Sequence, residues 1–191
     1  MKRRSFIGLL ALAGTGTAGA AQEGGPALWR RLQGGGYVVL MRHAATVPGV
    51  GDPPGFKLDQ CSTQRNLSES GRKDAQQIGA AFRRHGIPVA DVLSSRWCRC
   101  TDTARLAFDR VEPVRMLDSV FTEDAKARQR NLDDTRAFLA GYKNPGNLVL
   151  VTHDVNIRAM VDEYASQGEM IVASVEPGGT LRVVGRFQLT A

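Results

Sequence analysis

Two histidines and two arginines in this chain stand where side chains usually do chemistry rather than packing. Arg42-His43 ends the apolar run Tyr37-Val38-Val39-Leu40-Met41, and His153 ends the run Leu148-Val149-Leu150-Val151 after Thr152. Ser94-Ser95-Arg96 closes a third short run, Val89 to Leu93. The guanidinium is planar and permanently charged, so it grips phosphate oxygens in pairs. Imidazoles beside such forks describe an oxyanion site with a nucleophile in it. His85 differs, because it sits on a polar helical stretch beside Arg83 and Arg84 and reads as a capped or half-buried ring without a chemical role.

The elements around these residues alternate. Leu28 to Leu32 has the makings of a short helix between the glycine-rich stretches Gln22–Pro26 and Gly34–Gly36, and the folded domain is expected from Tyr37. Ser68 can cap a helix over 69–85, with Ala75, Ile78, Gly79 and Phe82 at helical spacing. Strands are expected at 37–41, 89–93, 114–117 and 148–151. Further helices are expected up to Phe108, over 124–142 and over 156–164. Segments 170–175 and 181–189, split by Pro177-Gly178-Gly179, read as a closing hairpin. Such alternation implies a three-layer α/β/α sandwich with a mostly parallel central sheet. Ligands of such sheets lie beyond the carboxyl ends of the strands, where the polar residues above fall. The segment 47–60 holds three prolines and three glycines and reads as a loop shaping access to the nucleophile.

The N-terminus reads as an export address. Lys2-Arg3-Arg4 is followed by a short apolar stretch, Phe6 to Ala13, and by Ala18-Gly19-Ala20, a small-residue cleavage pattern. Arg3-Arg4-Ser5-Phe6-Ile7 resembles the twin-arginine signal; the alternative is a general secretory signal with two adjacent arginines. Residues 1–20 are thus expected to be a signal peptide and 21–36 a glycine-rich segment before the domain at 37–191. The mature protein is expected in the periplasm or outside the cell, without stable membrane insertion. Of 25 basic residues against 19 acidic, three lie in the leader, so the mature excess is small and gives no case for nucleic acid. Cys98 and Cys100 are too close to pair well, so a bridge would join Cys61 to one of them. Three buried thiols are the alternative, and the cysteine spacing fits no zinc pattern.

The motifs together resemble the histidine phosphatase superfamily, whose fold is phosphoglycerate-mutase-like. Leu40-Met41-Arg42-His43-Ala44 resembles its Arg-His signature, with Thr46 where a threonine often stands. Asn66-Leu67-Ser68-Glu69-Ser70-Gly71 is similar to its helix start, and Ser94-Ser95-Arg96 with Thr101-Asp102-Thr103-Ala104 to its second-arginine motif. Val151-Thr152-His153 resembles the strand of its second histidine. The resemblance runs in order from Val38 to about Arg158. It implies a phosphomonoester hydrolase in which His43 forms a phosphohistidine while Arg42, Arg96 and His153 hold the phosphoryl oxygens. It implies no metal or other cofactor, and a small phosphorylated substrate.

The resemblance leaves the general acid between two positions. His153-Asp154-Val155-Asn156-Ile157 resembles the His-Asp pattern of the acid-phosphatase and phytase branch, which assigns the acid to Asp154. The small mutase-like branch would place it at Glu123 or Asp124. Thr46 and Asn156 are secondary candidates for binding phosphate or its neighbours, and Trp97 for the pocket rim. Two other readings stand beside hydrolysis: a phosphotransferase or mutase, and a phosphate-ester-binding protein without turnover. The natural ester and the oligomeric state have no signature here.

Overall fold

The computed structural model describes residues 25–189. The expected leader at 1–20 lies outside them. Six strands form one sheet: β1 (Val38–Arg42), β2 (Val89–Ser94), β3 (Glu112–Pro113), β4 (Asn147–Thr152), β5 (Met170–Val175) and β6 (Leu181–Phe187). Their order is β3-β2-β4-β1-β5-β6. The first four strands pair in parallel, while β5 and β6 close the other edge antiparallel. This is the expected sheet.

Five helices cover it: α1 (Gly25–Gln33), α2 (Glu69–Arg84), α3 (Cys98–Phe108), α4 (Ala125–Gly141) and α5 (Asp154–Val161). The strand alternation sorts side chains to two faces. Val39, Met41, Val149 and Val151 meet α1, α2 and α3 through Trp29, Ile78, Phe82 and Ala104. Val38, Leu40, Leu148 and Leu150 meet α4 and α5 through Leu139 and Ile157. Buried on both faces, β1 and β4 are continuously apolar over 38–41 and 148–151, with polar residues only at their ends. Helix α1 precedes Tyr37, yet its Leu28 and Leu32 are fully buried in the first of these clusters. His85 caps the end of α2 and stacks on Trp29 at 4.4 Å.

Two helix starts follow their caps. Ser68 accepts the Gly71 N–H at the start of α2, and Asp124 accepts the Ala127 N–H at the start of α4. Gly71 also lets α2 lie directly on the chain after His43: a Cβ there would stand 1.9 Å from the Ala45 carbonyl oxygen.

The strand expected at 114–117 is not one. Pairing with β2 stops at Glu112–Pro113, and Arg115–Leu117 forms a 3-10 turn. Pro113 brings no N–H to a ladder. The turn drops Leu117 into the core, where its carbonyl accepts the Thr152 hydroxyl at 2.7 Å.

Candidate active site

Parallel pairing of β1 with β4 sets Arg42 beside Thr152. Each chain then continues one residue, and the His43 N–H donates to the Thr152 carbonyl at 3.0 Å. His43 and His153 therefore emerge together at the carboxyl edge, with ring centroids 5.6 Å apart. They open into a cavity of about 580 Å³.

The His43 ring is buried, and its Nδ1 lies 2.9 Å from its neighbour's carbonyl, that of Ala44. A carbonyl only accepts, so Nδ1 carries the proton and Nε2 keeps its lone pair. Burial pushes the His43 pKa down to about 3; the Ala44 bond opposes this, and Arg99, Arg42 and Arg65 add to the drop. Below that pH aside, the ring is neutral. His153 is pushed well below the ordinary histidine value, first by burial and then by His43 and the same three arginines. Its Nε2 lies 2.9 Å from the Ser95 hydroxyl and 3.6 Å from the Cys100 sulfur. The Ser95 oxygen also accepts the Trp97 N–H at 3.3 Å.

Three guanidinium groups line the cavity: Arg42, Arg65 and Arg99. Arg42 donates to the Ala165 carbonyl at 2.8 Å and to the Tyr164 hydroxyl at 3.2 Å. Arg65 donates to Thr46 Oγ1 and the Gly49 carbonyl, and Arg99 to Asp52 Oδ1. In all three the buried Nε has no partner among the described residues. Three permanently charged forks around a single cavity suit an acceptor-rich anion such as a phosphate. Asp52 is the one carboxylate within this group of forks, taking the Arg99 guanidinium, the Arg65 backbone N–H and the Trp97 indole N–H. Burial opposes its ionisation, but these bonds outweigh it and hold the carboxyl below its usual range.

Arg96, expected as the second phosphate fork, is not at the cavity. It precedes α3 and is tied to Asp118, with Nε at 2.8 Å and Nη2 at 2.5 Å from Oδ2. Arg99, three residues later in the first turn of α3, occupies the place intended for it. Helical spacing was the available signal. Thr103, one turn after Arg99, donates to the Arg99 carbonyl at 2.7 Å and accepts the Ala44 N–H at 3.0 Å, so this face of α3 looks at the His43 loop. Arg65 had no such signal. It reaches the site through a single bridge, Thr46 to Leu67, between distant parts of a loop.

The acid candidates separate. Asp154 lines the cavity, with Oδ1 accepting the Ala165 N–H at 3.1 Å. Glu123 is exposed away from the lining, and Asp124 is occupied as the cap of α4. Thr46 positions Arg65 and accepts from Gln167 rather than facing the cavity. Asn156 is buried and braces the 118–120 turn, donating to the Asp118 carbonyl and accepting the Val120 N–H. Trp97 is part of the cavity wall. Cys61 is bonded to Cys98, which ties the access loop to the start of α3, and Cys100 is a buried free thiol.

Residues 38–124 match the family model described as histidine phosphatase superfamily (branch 1). No match to the chain exists among curated proteins. Among solved structures, the fold is similar to the alpha-ribazole phosphatase from Shigella flexneri, at 18% identity and a TM-score of 0.60 over 81% of this chain and 98% of that one. It is similar to the phosphoserine phosphatase from Entamoeba histolytica in complex with 3-phosphoglyceric acid, at 11% identity and a TM-score of 0.57 over 81% and 98%. The protein histidine phosphatase SixA complexed with tungstate aligns at 12% identity and a TM-score of 0.54 over 80% and 96%.

Proposed function

We propose that this chain is a member of the histidine phosphatase superfamily and hydrolyses phosphomonoesters by passing the phosphoryl group through His43. One observation carries the reading. The Ala44 carbonyl fixes the Nδ1 proton, so the Nε2 lone pair of a neutral ring stands in a cavity lined by three guanidinium groups.

In the first step the Nε2 lone pair attacks phosphorus, the ester P–O bond breaks, and its electrons leave on the alcohol oxygen. That oxygen takes a proton from Asp154 in its carboxylic acid form. In the second step water attacks the phosphohistidine, the P–N bond breaks, and its electrons return to Nε2. The water gives its proton to the Asp154 carboxylate, which restores the acid. Arg42, Arg65 and Arg99 stabilise the charge that the transition state spreads over the equatorial oxygens. His153 lines the same cavity beside His43 as an additional polar group for the phosphoryl oxygens. The fold likeness to named phosphatases supports the same class of chemistry.

We also place the protein outside the cytoplasm. The Lys2-Arg3-Arg4 leader and the Cys61–Cys98 bridge support that location, because disulfides persist in oxidising compartments.

Phosphate release from an aryl phosphate tests the activity, together with trapping of an acid-labile phosphoryl group on the protein. His43→Ala should abolish both; undiminished turnover in that variant would refute the mechanism. Asp154→Asn should slow alkyl esters, with their poor leaving groups, more than activated aryl esters. Equal slowing would remove Asp154 from the acid role.

A further inference from the structure

The cavity is far larger than a phosphoryl group needs, falling within the range that holds drug-sized ligands. Its charged members are the three arginines, Asp52 bonded to Arg99, and Asp154 next to His153; the rest of the lining is neutral. The apolar part has a direction. From His43 the ring of His153 lies at 5.6 Å, from there Trp97 at 5.5 Å, and from there Phe56 at 5.9 Å. This aromatic row leads from the buried nucleophile out to a partly exposed phenyl ring. Its wall is rigid, because Asp52 holds the Trp97 indole N–H at 2.9 Å. Val50 and Phe121 complete the mouth, 92% and 59% exposed. Half of the six large hydrophobic side chains exposed among the described residues thus gather around one opening. Scattered exposed apolar residues are ordinary, whereas a gathered set around a cleft marks a binding surface.

We infer that the preferred substrate is a phosphomonoester of a neutral, apolar alcohol, its phosphate among the arginines and its hydrocarbon against Trp97, Phe56, Val50 and Phe121. The inference rests on the phosphatase reading of the site and adds the class of leaving group. Esters of a second anion find no free cation in that outer wall, whose neutral side-chain donors are Ser119, Thr122 and Gln167.

A series of n-alkyl phosphates from methyl to octyl separates chain burial from leaving-group chemistry, which changes little along it. The expected result is a kcat/KM that climbs about two- to fourfold per methylene until the cavity is filled, carried mainly by KM. Glycerol and sugar phosphates should fall below alkyl esters of the same carbon number. The double variant Phe56→Ala/Phe121→Ala should flatten the climb, and circular dichroism checks that the variant is folded. Comparing 2-naphthyl with phenyl phosphate tells whether rings share the site with chains; a gain there supports the same apolar wall. A flat series, or a preference for polyol esters, overturns the inference while leaving phosphatase activity standing. If no ester is hydrolysed, the phosphatase reading fails, and calorimetry with n-alkylphosphonates still decides this one. Affinity that climbs with chain length sustains it, and constant affinity overturns it.

Discussion

The Arg99 guanidinium donates to Asp52 Oδ1 at 2.8 Å, and both side chains are nearly inaccessible, at 5% and 7%. This pair joins two distant parts of the chain, the glycine- and proline-rich access loop and the first turn of α3. The same carboxylate fixes Trp97 and the backbone at Arg65. Asp52 is therefore a positioning residue for two of the three forks. Asp52→Asn should lower kcat/KM by about 10- to 100-fold through misplacement of those groups. A partial rescue in Asp52→Glu and a shifted Trp97 fluorescence would mark positioning, and unchanged emission with full activity would sink the role.

Arg96 and Arg99 offer a sharper contrast. Arg99→Ala should abolish phosphate release, because it removes a fork at the cavity. Arg96→Ala should keep kcat within a few-fold and cost about 1 kcal/mol of stability, since its half-exposed bond to Asp118 is structural. Steady-state kinetics and urea unfolding of both variants decide this. The reverse pattern would restore Arg96 to the site.

Acid should unfold the protein through its two site histidines. Unfolded, each ring takes a proton near 6.5, whereas folded His43 does so only near 3 and His153 well below the ordinary value. Between pH 6.5 and about 3 the unfolded chain binds more protons, so stability rises with pH in that window and is lost as pH falls. Each ring contributes at most about 1.4 kcal/mol per pH unit there. Urea unfolding at pH 4, 5 and 7 should show this slope, and the double variant His43→Gln/His153→Gln should reduce it. An identical slope in that variant would count against the buried neutral pair.

The Cys61–Cys98 bridge closes 37 residues that include Arg65. Chain entropy alone makes it worth about 4 kcal/mol. Cys61→Ser should lower the melting temperature and raise KM, because the loop carrying Asp52 and Arg65 loses its tie to α3. Cys100, buried with its thiol pushed up to about 12 by that burial, should resist alkylation at pH 8 until the protein unfolds. Rapid labelling of the native thiol would contradict its enclosure.

What could be read along the chain was whatever repeats locally. Continuous apolar runs at 38–41 and 148–151 mark strands buried on both faces, and the capped periodicity after Ser68 marks α2, so the layered fold and both histidines were legible. The 114–117 segment misled because its apolar residues serve a turn into the core rather than a ladder.

The sequence by itself determined that His43 and His153 stand at strand ends, since hydrophobic patterning sets strands and the parallel sheet sets which edge they leave from. Only the tertiary structure decided which arginines face them. Arg96 and Arg99 are both cations after the same strand; Arg96 precedes α3 and pairs with Asp118, whereas Arg99 in the first turn of α3 lines the cavity. Arg65 and Asp52 come from a loop without periodicity, held by a bridge, a disulfide and each other's hydrogen bonds. Side chains on such a loop are placed by distant partners, and nothing in their local spacing encodes that placement.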